Sequence, residues 1–90
     1  MILSLSMDKC VIIVLNLNPN TGRNKLYKLF SSKGHIKKFN LHKNENSKKK
    51  CIIYYSNENF SYQAINDFDQ KILDGRRIGV RFYEPNPRKR

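Results

Sequence analysis

The chain has 90 residues, which is one small domain at most, and 18 Lys and Arg against seven Asp and Glu give a formal net charge of +11. This charge favours a polyanionic partner, nucleic acid first, and the length excludes a multidomain architecture within these residues. The two cysteines form neither a secreted disulfide scaffold nor a metal-ligand cluster, so we expect a reducing intracellular setting, nuclear or cytoplasmic or both. Residues 1–8 are predicted to be a flexible lead-in, too short for a signal peptide or a membrane span, and we expect no membrane partner.

The first half of the chain predicts a strand, a helix and a second strand. Residues 10–15 are apolar and rich in β-branched types, which is typical of a buried strand. Thr21 is a good N-cap for the helix that follows, and Gly34 is expected to end that helix. The helix carries apolar residues at helical spacing, namely Leu26, Leu29 and Phe30. A weaker strand, basic in its middle, covers residues 36–41.

The second half predicts a strand, a helix and a final strand. Residues 50–55 are a β-rich run that follows the charged loop 42–49. Asn57 or Glu58 starts the second helix. The apolar stripe of that helix is Ser61, Ala64, Ile65 and Phe68. After a turn at residues 73–75 comes the last strand, which is predicted to be half-buried. Its apolar residues Ile78, Val80 and Phe82 alternate with Arg77, Gly79 and Arg81.

This order of elements, β-α-β-β-α-β, is the split βαβ arrangement. It predicts an α+β protein with a ferredoxin-like βαββαβ sandwich, in which a four-stranded antiparallel sheet carries two helices on one face. The other face of the sheet is then open to a partner. We place the domain at residues 9–84 and a basic tail at residues 85–90.

Charge is distributed unevenly along these elements. Residues 1–57 hold eleven basic groups and two acids, whereas residues 58–75 hold four acids and one base. The second helix is therefore acidic, and the second strand with the loop after it is basic. A polyanion is expected to avoid the helix and to bind near the strand and loop.

Four segments of the chain have sequences and spacings that resemble one known family. They are residues 12–17 (IIVLNL), 26–30 with 34–36 (LYKLF and GHI), 64–65 (AI) and 73–80 (LDGRRIGV). These segments resemble the RNA recognition motif family, and the likeness covers about residues 9–83. The resemblance implies the fold described above. It also implies an open sheet on which single-stranded RNA lies, with aromatic residues of the two central strands stacking on bases.

The stacking positions of that family fall on residues that are not aromatic in this chain. Aligned without a gap from residues 64–65, the three positions fall on Ile13, Lys50 and Ile52, and the family's glycine position falls on Lys49. Each stacking aromatic contributes about 1–3 kcal/mol to binding. We therefore expect a non-canonical member that binds single-stranded RNA with modest sequence preference, through phosphate contacts and a few base contacts.

Side-chain alternation along the strands and the placement of the basic residues together identify the candidate site. The candidate RNA-binding residues are Ile13, Leu15, Lys38, Asn40, Lys48, Lys49, Lys50, Ile52, Tyr54, Arg77, Arg81 and Tyr83. Tyr54 and Tyr83 are expected to stack on bases at shifted places, and the lysines to bind phosphates. The domain is expected to be one module of a larger RNA-associated protein.

The main alternative is a protein-binding module of the same fold. Ile13, Leu15 and Ile52 form a contiguous apolar patch that suits a protein partner or self-association, with little or no RNA affinity. A family variant that grips a tryptophan-bearing peptide uses an acidic first helix, and this chain has no acid between Thr21 and Gly34. The sequence has no nucleophile beside a base, no phosphate-binding glycine loop and no ligand cluster, so we expect no enzyme activity, cofactor or metal.

Overall fold

The computed structural model describes residues 9–43 and 49–83 of the chain. Within these residues the elements are β1 (Val11–Leu17), α1 (Arg23–Ser31), β2 (Ile36–Lys43), β3 (Lys49–Tyr55), α2 (Glu58–Phe68), β4 (Ile72–Leu73), β5 (Arg76–Arg77) and β6 (Gly79–Phe82). The predicted order is confirmed, and a short ribbon of β4 and β5 is added before the last strand. The predictions for the lead-in, for Lys48 and for the tail lie outside the described residues.

Four strands form one antiparallel sheet in the order β2-β3-β1-β6. β1 lies inside the sheet, so that Ile13 stands beside Ile52 of β3 on one side and beside Arg81 of β6 on the other. The helices and the sheet share one core, which confirms the predicted ferredoxin-like sandwich. Because side chains alternate along each strand, this register fixes which residues share the open face.

The hydrophobic core lies between the sheet and the two helices. β1 and β3 supply the core-facing residues that alternation predicts, which are Ile12, Val14, Cys51, Ile53 and Tyr55. Phe30 of α1 meets Phe68 of α2 edge to face, with 4.8 Å between ring centroids. The Tyr55 hydroxyl donates to the Phe30 carbonyl oxygen at 2.7 Å, so the polar end of this buried ring is satisfied.

The start of α1 differs from the sequence prediction. Gly22, not Thr21, occupies the N-cap position, and it supplies no side-chain hydrogen bond. Thr21 is 1% exposed, and its hydroxyl donates instead to Asp74 Oδ2 at 2.6 Å. The Thr21 hydroxyl, which was expected to cap the helix, therefore bonds to a residue distant in sequence instead. At α2 the prediction is confirmed, because the Asn57 side chain accepts from the backbone N–H of Asn59 at 2.8 Å.

Gly34 lies in the connection between α1 and β2, where the chain passes close to α2. A Cβ at this position would stand 2.1 Å from Cγ of the Phe60 ring, and the glycine has φ of +156°. A larger residue would have to displace an aromatic side chain that packs against the core. The glycine therefore permits a close approach of two elements, whereas α1 ends earlier than predicted, at Ser31, with Ser32 as its C-cap.

The ribbon before the last strand changes the position of one predicted site residue. Asp74 and Gly75 both have positive φ, as a two-residue hairpin turn requires, and Arg77 pairs with Ile72 in the ribbon. The prediction that Arg77 belongs to the last sheet strand is thus wrong. That strand begins at Gly79, because the tight Asp-Gly turn folds Arg76 and Arg77 back on β4.

Candidate nucleic-acid interface

The open face, which we define as the side of the sheet opposite the helices, carries cross-strand rows of side chains. The middle row is Asn40, Ile52, Ile13 and Arg81, read from β2 across β3 and β1 to β6. It runs from an amide at one edge to a guanidinium at the other, with two isoleucines between them. An apolar centre with polar ends suits a ligand that has both flat apolar surfaces and charged groups.

A second row places two tyrosines on the same face. Lys38 pairs with Tyr54, Tyr54 pairs with Val11, and the backbone N–H of Tyr83 donates to the Val11 carbonyl oxygen at 3.0 Å. The Lys38 ammonium lies 5.5 Å from the centroid of the Tyr54 ring, within cation–π distance. Tyr54 is therefore a half-buried ring that a cation already contacts, which limits the area it offers to a base.

A groove of about 540 Å³ opens on this face where β3 and β1 meet the ribbon. Its lining residues are Leu15, Asn16, Leu17, His42, Lys43, Lys49, Lys50, Ile52, Arg76 and Tyr83. Aliphatic side chains and one tyrosine ring alternate with four cationic residues and a histidine. The groove thus combines apolar surface with positive charge and contains no carboxylate among its lining residues.

A bulge in β1 fixes one side of this groove. The pairing with β3 shifts between Val14 and Leu17, and Asn16 has φ of +63°. The Asn16 amide donates to the Arg77 carbonyl oxygen at 2.9 Å and accepts from the Arg76 guanidinium at 2.8 Å. These bonds attach the ribbon to β1, and they hold Arg76 at the groove.

Lys49 and Lys50 are adjacent in sequence, but their side chains have different surroundings in the structure. Lys50 is exposed and faces the open side with Ile52 and Tyr54. Lys49 pairs with the buried Leu17, and its ammonium donates to the Thr21 carbonyl oxygen at 3.1 Å. Lys50 is therefore the cation that this strand presents on the open face, whereas the Lys49 ammonium is hydrogen-bonded to the loop that precedes α1.

The apolar patch predicted on the open face is partly covered. Ile52 is 8% exposed and its neighbour Val11 is 4% exposed, although neither belongs to the core between the sheet and the helices. Ile13 and Leu15 are half-buried. Ile52 therefore forms part of the floor of the groove and offers little surface as a free platform, while Ile13 and Leu15 offer more.

Among the described residues, the strands of the sheet are basic, whereas the acids lie in α2, in the segment after it and in the ribbon turn. The strands of the four-stranded sheet contain no acidic residue, and their basic residues are Lys37, Lys38, Lys43, Lys49, Lys50 and Arg81. Among the described acids, Asp67 of α2 contacts Lys33, and Asp74 of the ribbon turn contacts Lys25. The hydrogen bonds from Lys25 and then Thr21 hold the pKa of the Asp74 carboxyl below its usual range.

The remaining perturbed groups belong to the core and not to the interface. Burial raises the pKa of the Cys51 thiol to about 12, and burial also raises the pKa of the Tyr55 phenol. Cys51 therefore stays protonated and unreactive at neutral pH. In the part of the chain that the structure describes, no three His, Cys, Asp or Glu residues come together as metal ligands, and no helix has the length and apolarity needed to cross a membrane.

The structure brings together most of the predicted site and adds residues that the prediction left out. Ile13, Leu15, Lys38, Asn40, Lys50, Ile52, Tyr54, Arg81 and Tyr83 share the open face. Arg77 lies in the ribbon, and Lys48 lies outside the described residues. Arg76 and Lys43 line the groove but were not predicted. The Asp-Gly turn signal before Arg76 was the one indication in the sequence that a hairpin would turn this residue toward β1.

Comparison with known proteins agrees with this architecture. The RNA recognition motif family model matches residues 12–79. RNA-binding protein RRM4 of Mycosarcoma maydis is 28% identical over 81 residues, which is 88% of this chain and 10% of that protein, so the chain spans about a tenth of the length of this curated relative.

Two solved structures illustrate the likeness in fold. The third RNA recognition motif of Pes4 superposes with a TM-score of 0.80 at 22% identity, covering 90% of this chain and 99% of that one. The Sxl-lethal protein/RNA complex superposes with a TM-score of 0.77 at 20% identity, covering 86% of this chain and 48% of that one. These identities support the fold alone, whereas the family model matches most of the sequence. The chain belongs to the RNA recognition motif family.

Proposed function

We propose that this domain binds single-stranded RNA on its open face, as one module of a larger RNA-associated protein. One observation carries the proposal, which is that the described open face is basic, has no acidic side chain and contains an apolar groove. A single strand of RNA offers phosphates and unpaired bases, and this combination matches both properties of the face. Membership of an RNA-binding family supports the same conclusion.

Phosphate contacts supply most of the affinity in this proposal. Lys50 and Arg81 are exposed on the open face, and Lys38 stands at its β2 edge. Such contacts make binding strongly dependent on salt and carry no sequence information directly. The face therefore binds RNA with modest selectivity.

A few base contacts add to the phosphate contacts. The family's stacking positions carry Ile13, Lys50 and Ile52, so bases have aliphatic surface there and not rings. Tyr83 lines the groove and Tyr54 stands in the row beside it, and these tyrosines supply the stacking surface at shifted places. The Asn40 amide, at the end of the middle row, has both a donor and an acceptor for a base edge.

A titration with short RNAs tests the proposal directly. Oligonucleotides of A, of U and of mixed sequence are added to labelled protein, and amide shifts are followed at two salt concentrations. Shifts concentrated at Lys50, Arg81, Tyr54 and Tyr83 are expected, and they should weaken as salt rises. The absence of shifts at low salt would refute RNA binding by this domain.

Matched lysine variants sharpen this test. Lys50→Ala removes an exposed cation of the open face, whereas Lys71→Ala removes an exposed cation after α2 with the same change in net charge. For single strands, each lost phosphate contact reduces the slope of log K against log salt by about 0.7. We expect this reduction for Lys50→Ala alone. Equal effects of the two variants would show that net charge and not the open face is responsible.

A second candidate function is binding of a protein partner, or self-association, on the same face. The half-buried Ile13 and Leu15 favour it, because a partly exposed apolar surface also suits apolar side chains. Loss of the same amide signals on raising the protein concentration, without RNA, would identify self-association. We propose no catalytic role, and we place the module in compartments that hold RNA, the nucleus or the cytoplasm or both.

A further inference from the structure

The side of α1 that adjoins the edge strand β2 is basic and carries an exposed aromatic ring. Arg23 and Tyr27 lie on this side one helical turn apart, and Lys28 follows Tyr27 on the exposed surface of the helix. Tyr27 is 42% exposed, and both cations are exposed. β2 adds Lys37 and Lys43, which are also exposed. We call these five residues the α1–β2 flank.

Ion pairs separate the cations in and just after α1 into two groups. Lys25 of α1 contacts Asp74 of the ribbon turn, and Lys33, two residues after α1, contacts Asp67 of α2. Within the described residues, none of the flank's cations forms an ion pair. No acid among the described residues pairs with these cations, so their positive charge is available to an external anion.

One buried ring holds the aromatic part of the flank in place. The Arg23 guanidinium carbon lies 5.0 Å from the centroid of the Phe39 ring, and the Tyr27 ring meets the same ring edge to face at 5.4 Å. Tyr27 thus has a fixed orientation while much of its surface faces solvent. A held tyrosine ring between cations is the arrangement with which proteins stack bases and bind the adjoining phosphates of single strands.

We propose that the α1–β2 flank is a second RNA-contact surface, which holds the part of a strand that leaves the open face over the β2 edge. The inference rests on the proposed function and extends the path of its RNA. Four strands spaced by about 4.8 Å span only about 14 Å, so a long RNA must leave the face over one edge. β2 carries Lys37, Lys38 and Lys43, whereas β6 at the opposite edge carries Arg81 alone.

The positions of the cations on both sides of the β2 edge favour a strand of RNA over an anionic membrane as the partner. Lys38 and Lys43 reach the open face, beside Tyr54 and at the groove, whereas Arg23 and Lys28 belong to α1 on the other face. The cations therefore continue around the edge of the sheet from one face to the other. A membrane surface is flat and meets one side of a domain, whereas a flexible single strand can follow both sides.

Two variants of the flank and one control test this inference. Lys28→Glu reverses an exposed charge, and Tyr27→Leu keeps apolar cover over Phe39 but removes the stacking ring. Lys71→Glu, in the segment between α2 and β4, makes the same change in net charge as the first variant. Oligouridylates of four and of twelve nucleotides are titrated by fluorescence anisotropy at 50 and 200 mM salt. Thermal unfolding of each variant checks that the fold is kept.

We expect both flank variants to weaken binding of the longer RNA and to leave the tetranucleotide affinity unchanged within about twofold, while Lys71→Glu follows the native chain. For Lys28→Glu, the loss of affinity between 50 and 200 mM salt should be about 2.6-fold smaller than in the native chain for each lost contact, since a fourfold change in salt is raised to the power of about 0.7. For Tyr27→Leu the longer RNA should bind about fivefold or more weakly.

Three results would overturn the inference. The first is equal weakening by Lys28→Glu and Lys71→Glu. The second is equal weakening of both RNA lengths by the flank variants. The third is unchanged RNA binding together with lost binding to vesicles of phosphatidylcholine and phosphatidylserine, which would assign the flank to a membrane. Lys50→Ala separates this inference from the proposed function, because an unchanged tetranucleotide affinity in that variant contradicts the open face and leaves the flank to be judged on the longer RNA.

Discussion

Replacement of Tyr55 by phenylalanine is expected to destabilise the domain at neutral pH and to stabilise it, relative to the native chain, in alkali. The Tyr55 hydroxyl donates to the Phe30 carbonyl oxygen at 2.7 Å, and the residue is 1% exposed. The same carbonyl accepts from the backbone N–H groups of Ser32 and Lys33, so the variant does not leave it unpaired. The expected cost at neutral pH is therefore that of one net hydrogen bond, about 0.5–1.5 kcal/mol.

The alkaline effect has the opposite sign. Burial raises the pKa of the Tyr55 phenol above its usual value of 10. A raised pKa in the folded state contributes stability that is complete below the unfolded pKa and is lost as pH rises toward the folded value. With an unfolded pKa of about 10, the native chain loses about 1.4 kcal/mol by about pH 11, whereas the phenylalanine variant loses nothing through this position. The two stability curves are expected to cross between about pH 10 and 11.

Urea unfolding followed by circular dichroism, repeated from about pH 8 to about pH 11.5 under reducing conditions, gives both curves. All other side chains are the same in both proteins, so the difference between the two free energies of unfolding isolates position 55. Parallel curves without a crossing would show that the phenol ionises as readily in the folded chain as in the unfolded one. The argument from burial would then be wrong.

Three further predictions concern stability and reactivity. Gly34→Ala is expected to lower the free energy of unfolding by about 1–3 kcal/mol, because its Cβ would stand 2.1 Å from the Phe60 ring, and an unchanged urea midpoint would contradict that contact. Cys51 should resist iodoacetamide in the folded protein near neutral pH, since burial raises its thiol pKa to about 12, and rapid alkylation seen by mass spectrometry would refute its burial. Hydrogen bonds, first from Lys25, lower the pKa of Asp74, so the stability they add is lost as pH falls through that lowered pKa. The difference in Tm between the native chain and Asp74→Asn should therefore shrink in acid, and a constant difference would argue against the bonds.

A glycine control accompanies the first of these predictions. Gly79 does not have a positive φ. A Cβ at this position would meet only Leu15, at the ordinary contact distance of 4.0 Å. Gly79→Ala makes the same chemical change as Gly34→Ala in the same domain. It is expected to shift the urea midpoint little, so a large shift in both variants would point to a general cost of removing glycine.

The core and the open face were predictable because they depend on local periodicity. Alternation in β1 and β3 assigns Ile12 to the helices and Ile13 to the open side, and a period of two residues needs no tertiary information. The hydrogen bond of Thr21, in contrast, could not be predicted from the local sequence. As an N-cap Thr21 was a sound choice, but its hydroxyl binds Asp74, which is 53 residues away in sequence. No local pattern reveals that competing acceptor.

The assignment of Arg77 to the last strand was wrong for a related reason, and the contacts of Lys49 likewise could not be predicted locally. The direction of each depends on the bulge at Asn16 and on the Asp-Gly turn, and both features act through pairing with distant segments. Charge in the sequence showed that the region was basic, but it did not show which of two adjacent lysines faces outward. The RNA contacts of the remaining open-face residues stay predictions that the titrations above would test.

Under the proposed function, charge must contribute more to affinity than stacking does. Three missing stacking aromatics correspond to about 3–9 kcal/mol of base contacts, and the Tyr54 ring already lies against Lys38. Phosphate contacts can compensate for the affinity that the missing aromatics would supply, but they do not restore selectivity, because every RNA presents the same backbone. A single module of this kind is therefore a poor reader of sequence, and its contribution depends on being linked to others. Linkage raises avidity by about 10²–10⁴ without new contacts, so a weak and salt-sensitive module can serve a longer chain by lengthening the bound RNA path.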